Sequence, residues 1–522
     1  MNKRLPVCAA LATLAGIWVV ALLTASGAAA SAPALPSSDP FYSYSGSLTN
    51  IAPGSVLRTR AVSLAESGST TPATATQVLY RTVNEAKQPS VTVATVIRPV
   101  ATVGTPKIVS YQTAYDALGS QCDPSYTLQG GNSSYQTAQE EEQIILGYVS
   151  AGYTVVVPDY EGEHLDWAAG QESGYDTLDG IRATENLLGA PAASTPVGVV
   201  GYSGGSIATE FASELAPTYS PELDIVGVAE GGVPVDFFHN LSYINGSPDW
   251  SGVIPAVLVS LSRAFGVSFE PYLSPYGVQV TNQVKDECIN DFVGNYPGLT
   301  IQKLVKPQYA NPDLIPDFVR IGDELIMSRT GTPKGPLFIG VGNADGTGDG
   351  VMVAKDVQEL AYTYCRRGVS VQFNEYNGDD HDNAAIPFET GALQFLSDRL
   401  SGQAVSNGCS SIGPGNSLAP LAVPAGAKAK PPPKLKFRDL GRVKRLHGVD
   451  IKLWASGGNL NKLVVSFNRG HKRLHRYRIA RLTGRKHRIV LRVKGKMPSR
   501  GRYTLKVTQG SKTMLKRTLK VR

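Results

Sequence analysis

The stretch from Val199 to Ser206, VVGYSGGS, places one serine between glycines where a short apolar run meets the helix-like segment SIATEFASELA. A G-x-S-x-G pentapeptide in that strand-to-helix context is a nucleophile elbow: the glycines clear space around a serine held in a strained backbone conformation. The chemistry it predicts is nucleophilic acyl transfer by the hydroxyl of Ser203. A serine hydroxyl is a weak nucleophile at neutral pH. It needs a histidine to take its proton and a carboxylate to orient that histidine, and with an elbow of this kind the chain order is serine, acid, histidine.

Of the seven histidines, His447, His471, His475 and His487 lie in a basic C-terminal region, and His164 and His239 stand at the wrong place in that order. His381, in YNGDDHDNAA, follows the last strand-like run of the first part of the chain and precedes the helix-like IPFETGALQFLSDRL. That is where the base belongs. The acid should follow the run PLFIGVG, and GNADGTGDGVMV offers both Asp345 and Asp349. Either can orient an imidazole, and one can instead cap the next helix. The N–H of Gly204, next after the nucleophile, is one expected oxyanion donor, and a second should come from the loop after KIVSYQ.

The elements that must position these groups are legible as runs. Strand-like segments occur at 91–99, 107–112, 153–160, 197–202, 225–232, 336–342 and 369–376, rich in Val and Ile and mostly apolar on successive residues. Strands buried on both faces of a parallel sheet have that pattern. Amphipathic helical candidates such as EEEQIILGYVSAG and DTLDGIRATENLL lie between them, so the alternation predicts a doubly wound α/β sheet. It breaks between about 235 and 325, which reads as a helical cap inserted over the active edge. Within the cap, the apolar run 252–267 either faces an acyl chain or simply packs its helix.

The chain begins with a positive start, an apolar stretch and a small-residue ending near Ala30 to Ala32, which predicts a secretory signal peptide over 1–32 and an exported, soluble mature protein. Cys8 leaves with it. Cys122, Cys288, Cys365 and Cys409 remain, an even number that suggests two disulfides in an oxidising compartment with no metal-ligand spacing. Residues 428–522 hold 30 Lys or Arg against 2 Asp or Glu, whereas the rest of the chain holds 20 against 41. Two bodies of opposite charge are thus expected: a catalytic domain over 33–409, a Pro/Ala/Gly-rich linker over 410–435, and a basic domain over 436–522. The last alternates apolar and basic residues at period two, predicting a small antiparallel β-sandwich.

The segments DYEGE…GQESGYDTLDGIRA, GYSGGSIATEFASELAPTYSPELDIVGVAEGGVPVD and SYQTAYDALGSQCDPSY together resemble the secretory lipase family, the lipase A type of α/β-hydrolase, over roughly residues 40–405. The resemblance implies triacylglycerol lipase or carboxylesterase activity, a helical cap that shapes the acyl site, and no cofactor. It favours Asp349, 32 residues before His381, as the acid, because DGVMVAKDVQELAYTYC then matches, while Asp345 fits the preceding part of the same pattern. It places the second oxyanion donor at Asp116 and implies disulfides Cys122–Cys288 and Cys365–Cys409. It does not cover the basic domain.

These readings predict a secreted serine ester hydrolase acting on a lipid or small ester. Two alternatives stay open: acyl transfer to an alcohol through the same acyl-enzyme, and an inactive hydrolase body serving as a polyanion-binding or cell-wall-binding protein. The basic domain suits an anionic wall polymer or membrane surface by counterion release. With few aromatics and no nucleic-acid motif, it does not suit specific nucleic-acid binding.

Overall fold

Branched Val and Ile pack well on a pleated surface, and the runs that carry them become strands. The computed structural model describes residues 32–65, 72–101, 104–132 and 135–424, then strand segments between 434 and 521. The expected signal peptide, apart from residue 32, and residues 425–433 of the expected linker lie outside the described residues.

One sheet is built from β1 (Val56–Val62), β2 (Ala73–Val83), β3 (Pro89–Pro99), β4 (Ile108–Gln112), β5 (Thr154–Pro158), β6 (Pro196–Tyr202), β7 (Asp224–Gly231), β8 (Leu337–Asn343) and β9 (Val371–Asn377). Their spatial order is β1-β2-β3-β5-β4-β6-β7-β8-β9. The pairs from β5 through β9 are parallel, whereas β1, β2 and β3 join by antiparallel pairing, β3 to β5 included. All seven expected runs are strands, but the sheet is mixed. Strand β3 has a buried run, and an apolar run reads the same whichever way its neighbours point. Strands β1 and β2 were not expected, because VLRTRAV and ATATQVLYRTV mix Thr, Arg and Gln into their apolar residues.

Helices α1 (Gln136–Ser150), α2 (Gly170–Leu188) and α3 (Gly204–Tyr219) follow β4, β5 and β6. Between β7 and β8 the chain is helical, with α4 (Phe237–Tyr243), α5 (Val253–Phe265) and α6 (Pro275–Val284) among its elements; no strand is described there. This is the interval expected to form the cap. Helix α5 ends where Gly266 takes φ 60°, a left-handed C-cap that residues with a Cβ adopt at a cost. Helices α7 (Ala354–Arg366) and α8 (His381–Leu400) follow β8 and β9.

The core on the α1/α8 face joins Val109, Val155, Val157 and Val200 of the strands to Ile145 of α1 and to Phe388, Phe395 and Leu396 of α8. Phe338 of β8 stacks on Phe388 and Phe395, ring centroids 5.7 Å apart in both pairs. Each such buried side chain contributes about 1.5–3 kcal/mol, so α8 is anchored along the length that begins at His381.

The basic domain carries β10 (Lys434–Val443), β11 (Gly448–Ser456), β12 (Leu460–Arg469), β13 (Lys472–Leu482), β14 (His487–Arg492), β15 (Gly501–Gln509) and β16 (Lys512–Val521). They form two antiparallel sheets, β10-β11-β14 and β13-β12-β15-β16. A core of Leu453, Leu463, Val465, Phe467, Tyr503, Leu505 and Val507 lies between the apolar faces of the alternating strands. The expected sandwich is present, with β10 as a strand not anticipated. The chain divides into two compact units, and residues from 421 onward, with Asp313–Arg320, make the second.

The first unit extends past the expected end at 409. Cys365 bonds Cys409, closing 44 residues of chain. Beyond it, Gln358 donates to the carbonyls of Gly413 and Pro414, Gly415 N–H donates to Glu359, and Asn416 donates to Asp356. The segment 409–416 is therefore tied along α7 rather than extended. A Cys365→Ser/Cys409→Ser variant is expected to lose about 2–4 kcal/mol of stability, read as a lower urea midpoint. An unchanged midpoint would mean the hydrogen bonds to α7 hold this segment by themselves.

Candidate active site

Ser203 sits between the end of β6 and the start of α3 with φ 54° and ψ −124°, a positive φ that a side-chain-bearing residue adopts only under constraint. Its N–H donates to Gly231 O at the end of β7 (2.9 Å), and its carbonyl accepts from Ser206 Oγ (2.5 Å). The glycines beside it are sterically required. A Cβ on Gly204 would lie 1.5 Å from Asp116 Oδ1, and one on Gly205 would lie 2.0 Å from Gln112 O.

His381 opens α8, and its Nε2 lies 2.7 Å from Ser203 Oγ. Its Nδ1 lies 2.8 Å from Asp349 Oδ2. The other oxygen of Asp349 accepts from the N–H groups of Val351 (3.0 Å) and Met352 (2.6 Å), which fixes the carboxylate plane. The backbone closes the same pair, because His381 N–H donates to Asp349 O (2.9 Å). Asp345 is used elsewhere: it accepts from the N–H groups of Thr347 and Gly348 and from Tyr243 Oη. Those bonds outweigh its slight burial and lower its pKa, as expected of a turn-forming carboxylate near solvent. Of the two acids open in the sequence, Asp349 is the one at the imidazole.

Burial disfavours the charged form of His381, but the charge and hydrogen bond of Asp349 outweigh it, so the net shift is upward. Two contacts to this histidine were not anticipated. Tyr202 Oη donates to His381 O (2.6 Å) while its ring lies 5.1 Å from the imidazole. Trp250 of the cap meets the imidazole edge-on at 5.3 Å. Tyr202 stands inside the G-x-S-x-G pattern, a signal that could have found it; Trp250, in DWSG, carries none.

Asp116 lies over Gly204 on the loop after β4, buried and with φ 39°. Burial pushes its carboxyl up to about 7, against the lowering effects of the Trp167 indole and the His381 charge. The loop is held from several sides: Tyr160 Oη donates to Thr113 O (2.6 Å), Tyr135 Oη donates to Tyr115 O (2.8 Å), and Ala117 N–H donates to the buried Glu161 (3.1 Å). The Cys122–Cys288 disulfide and a Leu118 N–H to Glu287 O bond join it to the cap. Both disulfides carry the pairing that the resemblance implied.

Beside Ser203 and Asp116 an apolar chamber encloses about 780 Å³, open solvent at its mouth included. Val253 and Val257, on the expected apolar run, line it together with Ile207 and Phe211 of α3. Among the described residues no cluster of His, Cys, Asp and Glu suits a metal ion, and no helix is long and apolar enough to cross a membrane.

A nucleophile elbow, a histidine at the start of the helix after the last sheet strand and an acid after the preceding strand define an α/β-hydrolase. The secretory lipase profile matches residues 130–408, and the chain belongs to that family. It is 33% identical over 389 residues to a probable inactive lipase of Mycobacterium tuberculosis (strain CDC 1551 / Oshkosh), covering 72% of this chain and 84% of that one. It is 32% identical over 399 residues to Lipase A of Arthroderma benhamiae (strain ATCC MYA-4681 / CBS 112371), covering 72% and 82%. The structure of Candida antarctica lipase A aligns with a TM-score of 0.66 at 30% identity, covering 74% of this chain and 91% of that one.

Asp349→Asn is expected to lower kcat on a p-nitrophenyl ester about 10³–10⁴-fold, because an amide neither holds the working tautomer nor stabilises the imidazolium. Asp345→Asn should cost less than about tenfold. A general base must be neutral, so a raised His381 pKa puts the acid limb of kcat/KM above about 6.5. Residual activity in Asp349→Asn should show that limb displaced to lower pH. The reverse ranking of the two variants would move the role to Asp345.

Proposed function

We propose that this protein is a secreted carboxylic ester hydrolase of the triacylglycerol lipase or carboxylesterase type. Ser203 Oγ attacks the ester carbonyl as His381 Nε2 takes its proton, and Asp349 orients the ring and stabilises the imidazolium. The N–H groups of Gly204 and Asp116 receive the oxyanion, with the Asp116 carboxyl as a further donor when protonated. Collapse breaks the bond to the alcohol oxygen, which leaves with the proton from His381. Water, deprotonated by the same histidine, then attacks the acyl-enzyme and releases the acid and Ser203.

The observation that carries this reading is the continuous relay from Ser203 Oγ through His381 to Asp349, with both separations under 3 Å, beside an apolar chamber. One relative is named inactive, but in this chain all three groups are present and in hydrogen-bond reach. Acyl transfer to an alcohol in place of water uses the same acyl-enzyme, and no feature of the site favours it.

Ser203→Ala is expected to lower turnover of p-nitrophenyl esters by several orders of magnitude without changing the melting temperature. The wild type should be labelled at Ser203 by a fluorophosphonate. Labelling at another residue, or near-normal turnover in the variant, would remove Ser203 as nucleophile.

For the basic domain we propose retention on anionic wall polymers. Strands β12, β13, β15 and β16 contain no Asp or Glu, and Arg476, Arg478, Arg502 and Lys516 are exposed. Tyr477 is the one large apolar side chain strongly exposed among the described residues of these strands, which favours a soluble polyanion over insertion into lipid. Truncation near Pro431 is expected to keep turnover of soluble short-chain esters and to lose salt-sensitive cosedimentation with anionic cell walls. Equal binding by both forms would remove the targeting role.

A further inference from the structure

Two cavities meet at Ser203, and they differ in chemistry. One is the apolar chamber beside Asp116. The other is a cleft of about 2420 Å³, open solvent included, which also reaches Ser203 and His381. Trp250 and Ile289 line both. In an ester bound at Ser203, the acyl and alcohol parts leave the reacting carbon in different directions. An acyl chain in the chamber leaves the cleft to the alcohol.

The cleft is lined by carboxylates. Glu140, Asp249, Asp345, Asp380 and Asp382 are exposed along it, and no lysine or arginine is among its described lining residues. On its inner wall Glu389 lies beside Tyr111, whose hydroxyl donates to Glu389 Oε1 (3.3 Å). Glu389 Oε2 is shielded from solvent and has no hydrogen-bond partner among the described residues. Three further aromatic side chains, Tyr202, Tyr243 and Trp250, also line the cleft. A wet, negatively charged opening that also offers aromatic faces attracts an ammonium group by charge and by the ring quadrupole. It repels an anion. None of the five rim carboxylates takes part in the hydrogen bonds of the relay, although the charge of the adjacent Asp382 adds to the upward shift of His381.

We propose that this cleft is the alcohol subsite, that it takes an alcohol bearing an ammonium group, and that the enzyme hydrolyses esters of ammonium alcohols in preference to neutral ones and disfavours anionic ones. The proposal rests on the hydrolase reading above and adds the class of the leaving alcohol. Its acyl partner is the uncharged chain that the chamber accepts.

Three hexanoate esters test it, of choline, of 3,3-dimethylbutan-1-ol and of isethionate, which share the acyl group and have similar chain lengths while carrying charges of about +1, 0 and −1. At low ionic strength kcat/KM is expected to fall in that order, with at least roughly tenfold between the first and the last. At about 1 M salt, where the Debye length is about 3 Å, the spread should shrink. In an Asp249→Asn/Asp382→Asn variant with unchanged melting temperature, the choline-to-dimethylbutyl ratio should move toward one. Equal rates, a reversed order, or a ratio untouched by the double substitution would overturn the subsite proposal, with Ser203 still labelled by a fluorophosphonate. Absence of both labelling and turnover of any ester would instead overturn the hydrolase reading on which it rests.

Discussion

The backbone of Ser203 cannot relax. A residue with a side chain at φ 54° and ψ −124° is strained by about 1–3 kcal/mol, and the surroundings hold it there. Its N–H is taken by the end of β7, its carbonyl by Ser206, and the space in front of it is available only because positions 204 and 205 lack a Cβ. This strain directs the hydroxyl out of the sheet edge toward His381. The parallel register from β6 to β9 sets the rest, because it brings the ends of four strands to one edge: Gly231 ends β7, Asp349 follows β8 and His381 follows β9. The alignment of Ser203, His381 and Asp349 depends on that edge being common to residues nearly 180 positions apart.

Opposite the elbow, the loop of Asp116 is held by groups buried for that purpose. Tyr115, Tyr135 and Tyr160 place phenol oxygens on backbone atoms of the loop or of the adjoining Glu161, and Glu161 accepts from Ala117. A carboxyl taken into such a site favours its neutral form, since burial penalises the charge. The upward shift of Asp116 has that cause. A neutral carboxyl beside Gly204 can donate a hydrogen bond, whereas an ionised one would repel an oxyanion. The disulfide from Cys122 to Cys288 carries the same loop into the cap, so the Asp116 loop and the chamber wall belong to one braced unit.

Charge separates the two bodies of the chain. The first concentrates carboxylates, some buried behind the elbow and others lining the cleft, while the second has four adjoining strands without an acid. The long-range fields of such bodies act on charged partners before contact. By charge alone, an acidic opening attracts cations and a face of strands without acids attracts anions.

The pentapeptide around Ser203, the order of Ser203, Asp345 or Asp349, and His381, and the seven apolar runs are all local patterns, and the sequence by itself determined them. Steric need for glycine and the side-chain period of a buried strand act over a few residues, so they leave a trace that can be read without the fold. Strands β1 and β2 left a weaker trace because their polar residues dilute the pattern, and the antiparallel side of the sheet left none because one hydrophobic pattern serves either strand direction. The choice between Asp345 and Asp349 needed the resemblance, or the fold, because the two stand four residues apart in one loop. Only the turn geometry decides which carboxylate is used by the N–H groups of Thr347 and Gly348 and which reaches the imidazole. The pentapeptide marked the position of Tyr202, but its bond to the His381 carbonyl, the contact of Trp250 with His381 and the gathering of the five rim carboxylates at the cleft were decided by tertiary structure. They come from separate elements, and the distances between them are set by how the cap and the strand ends pack, which no local period records.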